Sequence, residues 1–172
     1  MSFLTRLFRP EPDPREALRP LWSTVVALAR DPRWYAQAGV EDTVEGRFDM
    51  VTAVLSLVLI RLERDPAAAG AATLLTELFV EDMDGQLREF GVGDIVVGKH
   101  IGKLMASLGG RLGAYRAALA NSAEGPLEAA VQRNVTVLDG GRVDPLARRL
   151  RALSDGLAEL PTADILMGRI ER

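Results

Sequence analysis

The run from Met50 to Ile60 constrains this chain more than any other segment, because only Thr52 and Ser56 interrupt its apolar residues. Wound into a helix, such a run is apolar nearly all round and has no side to give to water. It is far shorter than the ~20 residues that cross a bilayer. The rest of the chain must therefore enclose it, as the central buried helix of a packed domain. Asp42 or Thr43 can cap this helix, which runs through Phe48 and Val51 to Arg64, and Asp65-Pro66 ends it.

The flanking segments read as further helices. Leu18, Leu21, Trp22, Val25, Val26 and Leu28 recur at helical spacing from Pro14 to Ala29. Asp31-Pro32 is a start signal for a short helix through Trp34 and Tyr35 that stops at Gly39. A helix from about Ala67 to Glu89 buries Leu74, Leu75, Leu78, Phe79, Leu87 and Phe90, and ends at Gly91 and Gly93. Asp94 caps a long helix to about Ala120, striped by Ile101, Leu104, Leu108, Leu112, Tyr115 and Leu119. After a loop over Asn121 to Gly125, Pro126 opens a helix to about Leu138, and Asp139-Gly140-Gly141 turns the chain. Asp144-Pro145 starts a helix to about Leu160, and Pro161 a last short one. The run Val135, Thr136, Val137 is the one place with a strand-like pattern. Hydrophobic residues make up 48% but aromatics only 5%, so the core is built from Leu, Val, Ile and Ala, which favours packed helices. The expected fold is all-α: one domain of about six to eight helices over residues 14–172, preceded by an amphipathic segment and proline-rich break over 1–13.

Several chemistries are excluded by what is missing. With no cysteine there is no disulfide, thiolate metal site or cysteine nucleophile. His100 is the only histidine, no acid lies three residues before it, and no nucleophile elbow is near, so neither a carboxylate-bridged di-metal site nor a Ser-His-Asp triad is expected. Gly91-Val92-Gly93 and Gly109-Gly110 lack the Gly-Lys-Ser/Thr and preceding strand of a phosphate loop. Glu81, Asp82 and Asp84 lack the loop of a calcium site. A net charge of −3 and a pI of about 5.3 oppose general nucleic-acid binding. No catalytic residue, metal or cofactor is expected, and the chain is read as a non-enzyme. The opening Met1–Arg9 is not a secretory signal, since Arg6 breaks its apolar run. Phe3, Leu4, Leu7 and Phe8 share one side, with Arg6 and Arg9 near them; this segment either docks on the domain or touches lipid or a partner.

Charge layout is the most informative feature. Glu77, Glu81, Asp82, Asp84, Glu89 and Asp94 crowd one stretch against Arg88 alone, with positions 77, 81, 84 and 88 on one helix face. Ile95 to Ala123 holds no acid, but carries Lys99, Lys103, Arg111 and Arg116. Two consecutive helices thus bear opposite signs, as a structural salt-bridge seam or as a docking surface whose charges steer association. Lys99 and Lys103 are the only lysines, four apart. Gly98/Gly102 and Gly109/Gly113 sit on the same helix, where each glycine costs roughly 1 kcal/mol relative to alanine. Close helix packing, or a bare groove for a client helix, would justify them.

The stretch Leu75 to Asp94, continued by Val97–Lys103 and Gly110–Tyr115, resembles the ubiquinol–cytochrome c chaperone family. Its mitochondrial members carry an acidic E-D-x-D on a helix, then R-E-x-G-V, then a lysine-bearing helix with a G-x-x-x-A-Y-like end. The matching positions are Glu81, Asp82, Asp84, Arg88, Glu89, Gly91, Val92, Lys99, Lys103, Gly110, Ala114 and Tyr115. The resemblance covers Trp34 to Leu119, and the tail from Gly125 to Arg172 shows no usable match. It implies an all-helical assembly factor that binds unassembled cytochrome b, or another membrane-protein client of the cytochrome bc1 complex. A small partner protein is implied for mitochondrial members, and this chain is similar to a compact bacterial member working in the cytoplasm or at the cytoplasmic face of the inner membrane. With the charge layout, it gives a candidate docking set of Glu81, Asp82, Asp84, Arg88, Gly91, Lys99, Lys103, Gly110, Arg111 and Tyr115. Two other functions stay open on the residues alone: a helical scaffold with a different protein client, and a protein that binds an isoprenoid or quinone between helices.

Overall fold

The computed structural model describes residues 13–89, 94–121 and 123–170, with side chains described outside 87–100 and 124. A 3-10 turn over Pro14–Leu18 leads into helix α1 (Arg19–Ala29), and α2 (Pro32–Ala36) follows. The central helix is α3 (Val44–Leu62). A 3-10 turn at Pro66–Ala68 opens α4 (Ala69–Glu89), and α5 (Asp94–Leu119), α6 (Glu124–Asn134), α7 (Asp144–Glu159) and α8 (Thr162–Leu166) complete the order. The architecture is a single all-helical domain without named strands among the described residues.

Helix α3 is enclosed as its composition demands. Met50, Val54, Leu55 and Val58 have no solvent exposure, and the polar Thr52 and Ser56 are equally buried. Their hydroxyls are satisfied within the helix: Thr52 donates to the carbonyls of Phe48 and Asp49, and Ser56 to that of Thr52. Four helices, α1, α4, α5 and α7, pack around it. Thr43 caps its start, accepting from the Gly46 amide at 3.1 Å. Gly46 also answers a contact, since a Cβ there would lie 2.0 Å from the Glu41 carbonyl oxygen.

The helix expected to run to Leu138 ends at Asn134 instead. Val135 is extended, at φ −129° and ψ 129°, and the chain pairs briefly with residues 39–41. Glu41 donates to the Thr136 carbonyl at 3.0 Å, Leu138 donates to that of Gly39 at 2.9 Å, and Val40 and Val137 form an isolated antiparallel bridge. The β-branched run 135–137 is poorly suited to a helix, and these partners hold it extended. Elsewhere the proline and aspartate signals mark the observed boundaries, with Asp31 and Asp65 accepting from Arg33 and Ala67 amides as caps.

Long-range polar ties secure the periphery. Arg61 on α3 donates to the carbonyls of Leu157 and Leu160, at 3.0 and 2.7 Å, and so caps the end of α7. Thr24 on α1 donates to the Gly168 carbonyl at 2.9 Å, fastening the segment after α8. No described helix is long and apolar enough to cross a membrane.

Candidate docking surface

Glu77, Glu81 and Asp82 of α4 make no ion pair with Lys103, Arg111 or Arg116 of α5. Glu81 is turned toward the N-terminal turn, 3.3 Å from Arg15 and 3.6 Å from Arg19. Asp82 accepts from Gln86 on its own helix at 3.3 Å, and Asp84 is half-buried. On α5, Arg111 and Arg116 reach the central helix and its cap: Arg116 makes a forked pair with Glu63, just past the end of α3, and Arg111 pairs with Asp49 through one nitrogen. The reason is packing, since α5 lies along α3 and these two arginines meet Asp49 in its second turn and Glu63 just past its end. The candidate positions Arg88, Gly91 and Lys99 lie outside the described side chains, as does His100. Lys103 is exposed, with no ion pair among the described residues.

Asp49 organises a buried polar cluster that sequence reasoning missed. One carboxylate oxygen accepts from Arg111 at 2.6 Å, and the other from the Thr136 amide and hydroxyl at 2.9 and 2.8 Å. Arg111 also donates to the Thr52 hydroxyl, and its guanidinium lies 5.3 Å from the centre of the Phe48 ring. With side chains 15% and 8% exposed, this pair joins α3, α5 and the segment after α6. A signal was available: Asp49 directly precedes a run buried on all sides, so an acid there has to be paired. Tyr115, one turn on from Arg111, is fully buried, and its hydroxyl has no hydrogen-bond partner among the described residues. Burial drives its pKa up, and the nearby Asp49 adds to this while Arg111 opposes it. Arg111 and Tyr115 thus lie under the surface and shape it from beneath.

Much of what α5 shows to solvent is small. Gly102, Ala106, Gly109, Gly110 and Ala117 are exposed, and Gly113 is half-exposed. A Cβ at Gly102, Gly109, Gly110 or Gly113 would meet nothing within 4 Å. Close packing within this domain is therefore not what these four glycines serve; they leave a smooth open strip beside Lys103. Gly98 lies outside the described side chains. A second feature is an apolar trough of about 860 Å³ between α1, α2, α7 and the C-terminal segment. Leu28, Trp34, Leu153, Leu157 and Ile170 form its walls, with Arg33, Arg149 and Arg169 around it. Among the described residues no group of three or more acidic, histidine or cysteine side chains is placed to hold a metal ion.

Comparison with known proteins adds the family. The family model described as ubiquinol-cytochrome C chaperone matches residues 36–172. The match includes the tail from Gly125 onward, which the motifs had left unassigned. No curated protein matches the chain. Among solved structures, the Cbp3 homolog from Brucella abortus is similar at a TM-score of 0.79 and 32% sequence identity, over 98% of this chain and 96% of that chain. The chain belongs to the ubiquinol–cytochrome c chaperone family.

Proposed function

We propose that this protein is an assembly chaperone that holds an unassembled membrane subunit of the cytochrome bc1 complex, with cytochrome b as the client. The observation that carries this reading is family membership along most of the chain, joined to a fold match over nearly its whole length. The open strip on α5 supports it physically. Membrane helices associate through small residues that let backbones approach closely, and a client helix offers such a surface to Gly102, Gly109 and Gly113. The exposed Lys103, with Lys99 one turn before it, steers and orients the client through charge. Glu81, Asp82, Asp84, Arg88 and Gly91, the positions that the family motif picks out on and after α4, complete the proposed docking set. Gly110 lies on it, and Arg111 and Tyr115 hold its helix against α3. Holding and release of this kind need surface complementarity and no cofactor.

The test is recovery of the tagged protein from its native membranes, with the co-purifying proteins identified by mass spectrometry. Cytochrome b is expected to be enriched over other membrane proteins. Lys99→Glu with Lys103→Glu is expected to cut that enrichment about tenfold, and Lys103→Glu alone should leave the melting temperature in place, because an exposed charge contributes little to stability. An unrelated client in place of cytochrome b would support the scaffold reading instead.

The apolar trough favours a second reading, an isoprenoid- or quinone-binding protein. It requires that purified protein carry extractable prenyl lipid. Lipid-free protein that still captures cytochrome b would set it aside.

A further inference from the structure

A groove lies between α4 and α5, apart from the trough beside α7. Val80 and Met105 are its apolar residues, and Met105 is 40% exposed, one of few large apolar side chains left in water. Methionine is flexible and polarizable, and suits surfaces that accept varied apolar partners. Met105 stands three residues after Gly102 and four before Gly109, so it shares their helix face and the groove runs along the edge of the open strip.

The polar part of the lining accepts hydrogen bonds and has few to give. Thr73 and Thr76 donate their hydroxyls to the Ala69 and Ala72 carbonyls of their own helix. Glu77 and Glu81 present exposed carboxylates, and Glu77 makes no ion pair among the described residues. Arg15, the one base in the lining, holds Asp13 at 2.5 Å and reaches Glu81 only at 3.3 Å. Arg19 likewise holds Glu16 at 2.7 Å and approaches Glu81 only at 3.6 Å. Glu77 is thus unanswered and Glu81 only partly answered. The occupant that fits brings apolar surface for Val80 and Met105, and a cation with its N–H donors for the two carboxylates.

For a membrane-protein client met at the cytoplasmic face, the reading on which this inference rests, one kind of segment has that composition. Cytoplasmic loops of membrane proteins carry an excess of Lys and Arg close to the ends of their apolar helices. We propose that the α4–α5 groove takes the basic cytoplasmic end of a client transmembrane helix, its last apolar side chains on Val80 and Met105 and its Lys or Arg on Glu77 and Glu81. The rest of the client helix then lies along Gly102, Gly109 and Gly113. Lys103 is not part of the groove's lining and carries the opposite charge, so it repels a basic end placed beside it. Attraction at one place and repulsion at the other hold the client in one direction.

The probes are two labelled peptides, a short Leu- and Ala-rich helix ending in Lys-Arg-Lys and the same helix ending in Glu-Asp-Glu. Fluorescence anisotropy with the full chain is expected to show the basic peptide bound at least about tenfold more tightly. Glu77→Gln with Glu81→Gln, both at exposed positions, should abolish that preference with the melting temperature unchanged, and added salt should weaken it. A benzophenone amino acid in place of Met105 should cross-link to the basic peptide, and one in place of Leu138, exposed and outside the groove, should not. If the variant at Met105 fails to fold, the exposed rim position Thr73 takes the cross-linker. Equal affinity for the two peptides, or a preference that survives the double Gln variant, would overturn the proposal. So would cross-links from position 105 only within the chain or to a second copy of it. Such a failure leaves the recovery of cytochrome b from membranes standing. Conversely, a basic preference at the groove with some other protein recovered from membranes overturns the client's identity and keeps the groove.

Discussion

At the scale of single residues, the Asp49–Arg111 pair is the most consequential contact outside the apolar core. Breaking a buried pair strands the surviving charge, whereas replacing both partners with apolar groups removes the desolvation problem with the attraction. Asp49→Ala or Arg111→Ala is therefore expected to lower stability by about 3–5 kcal/mol, while Asp49→Leu with Arg111→Met should recover part of it, the Thr136 amide and hydroxyl still lacking their acceptor. Urea denaturation of the three variants measures this, and additive losses in the double variant would mean the pair is not coupled. Tyr115 gives a pH prediction. Burial raises its pKa above the ordinary value of 10, and burial likewise raises that of Tyr35. The unfolded chain then ionises first, so these groups leave stability unchanged below pH 10 and reduce it as pH climbs beyond. In a Tyr35→Phe variant, Tyr115 is the only tyrosine left. Its phenolate absorbance should be absent from the folded protein at pH 10 and appear with unfolding in alkali.

At the scale of elements, the C-terminal segment depends on one backbone position. Gly168 has φ +71°, and a Cβ there would approach the Pro20 carbonyl oxygen to 2.7 Å. The left-handed conformation alone costs a non-glycine residue about 1–2 kcal/mol, and the contact with rigid backbone adds to it. Gly168→Ala is expected to release the segment after α8 from α1, seen as faster amide exchange over residues 162–170 and a lower melting temperature. Unchanged exchange would show that the segment tolerates displacement. Arg61 does comparable work for α7, whose last carbonyls it caps. Arg61→Ala should cost about 1–3 kcal/mol, measured by thermal unfolding, because these are hydrogen bonds from a charged group.

At the scale of the whole molecule, helix identity was legible because apolar spacing and capping residues are local signals. Met50–Ile60 announced its own burial, and Asp31-Pro32, Thr43 and Asp65-Pro66 marked starts that the structure uses. The sequence offered the candidate docking set as a list of positions, and their arrangement was not legible in it. The acids of α4 and bases of α5, neighbours along the chain, read either as a mutual salt-bridge seam or as a docking surface. In the folded protein Arg111 and Arg116 instead pair with Asp49 and Glu63, 62 and 53 residues away.

The sequence by itself thus determined an all-helical domain wrapped around α3, and, through its motifs, the family. Only the tertiary structure decided which charges pair, where α6 ends, and that four glycines of α5 face open space. The physical reason is range. Periodicity and caps act within a few residues, where chain connectivity fixes the geometry. Ion pairs, the bridge between Val40 and Val137, and the exposure of a glycine strip depend on which helices come to lie together, a property of the packed core as a whole.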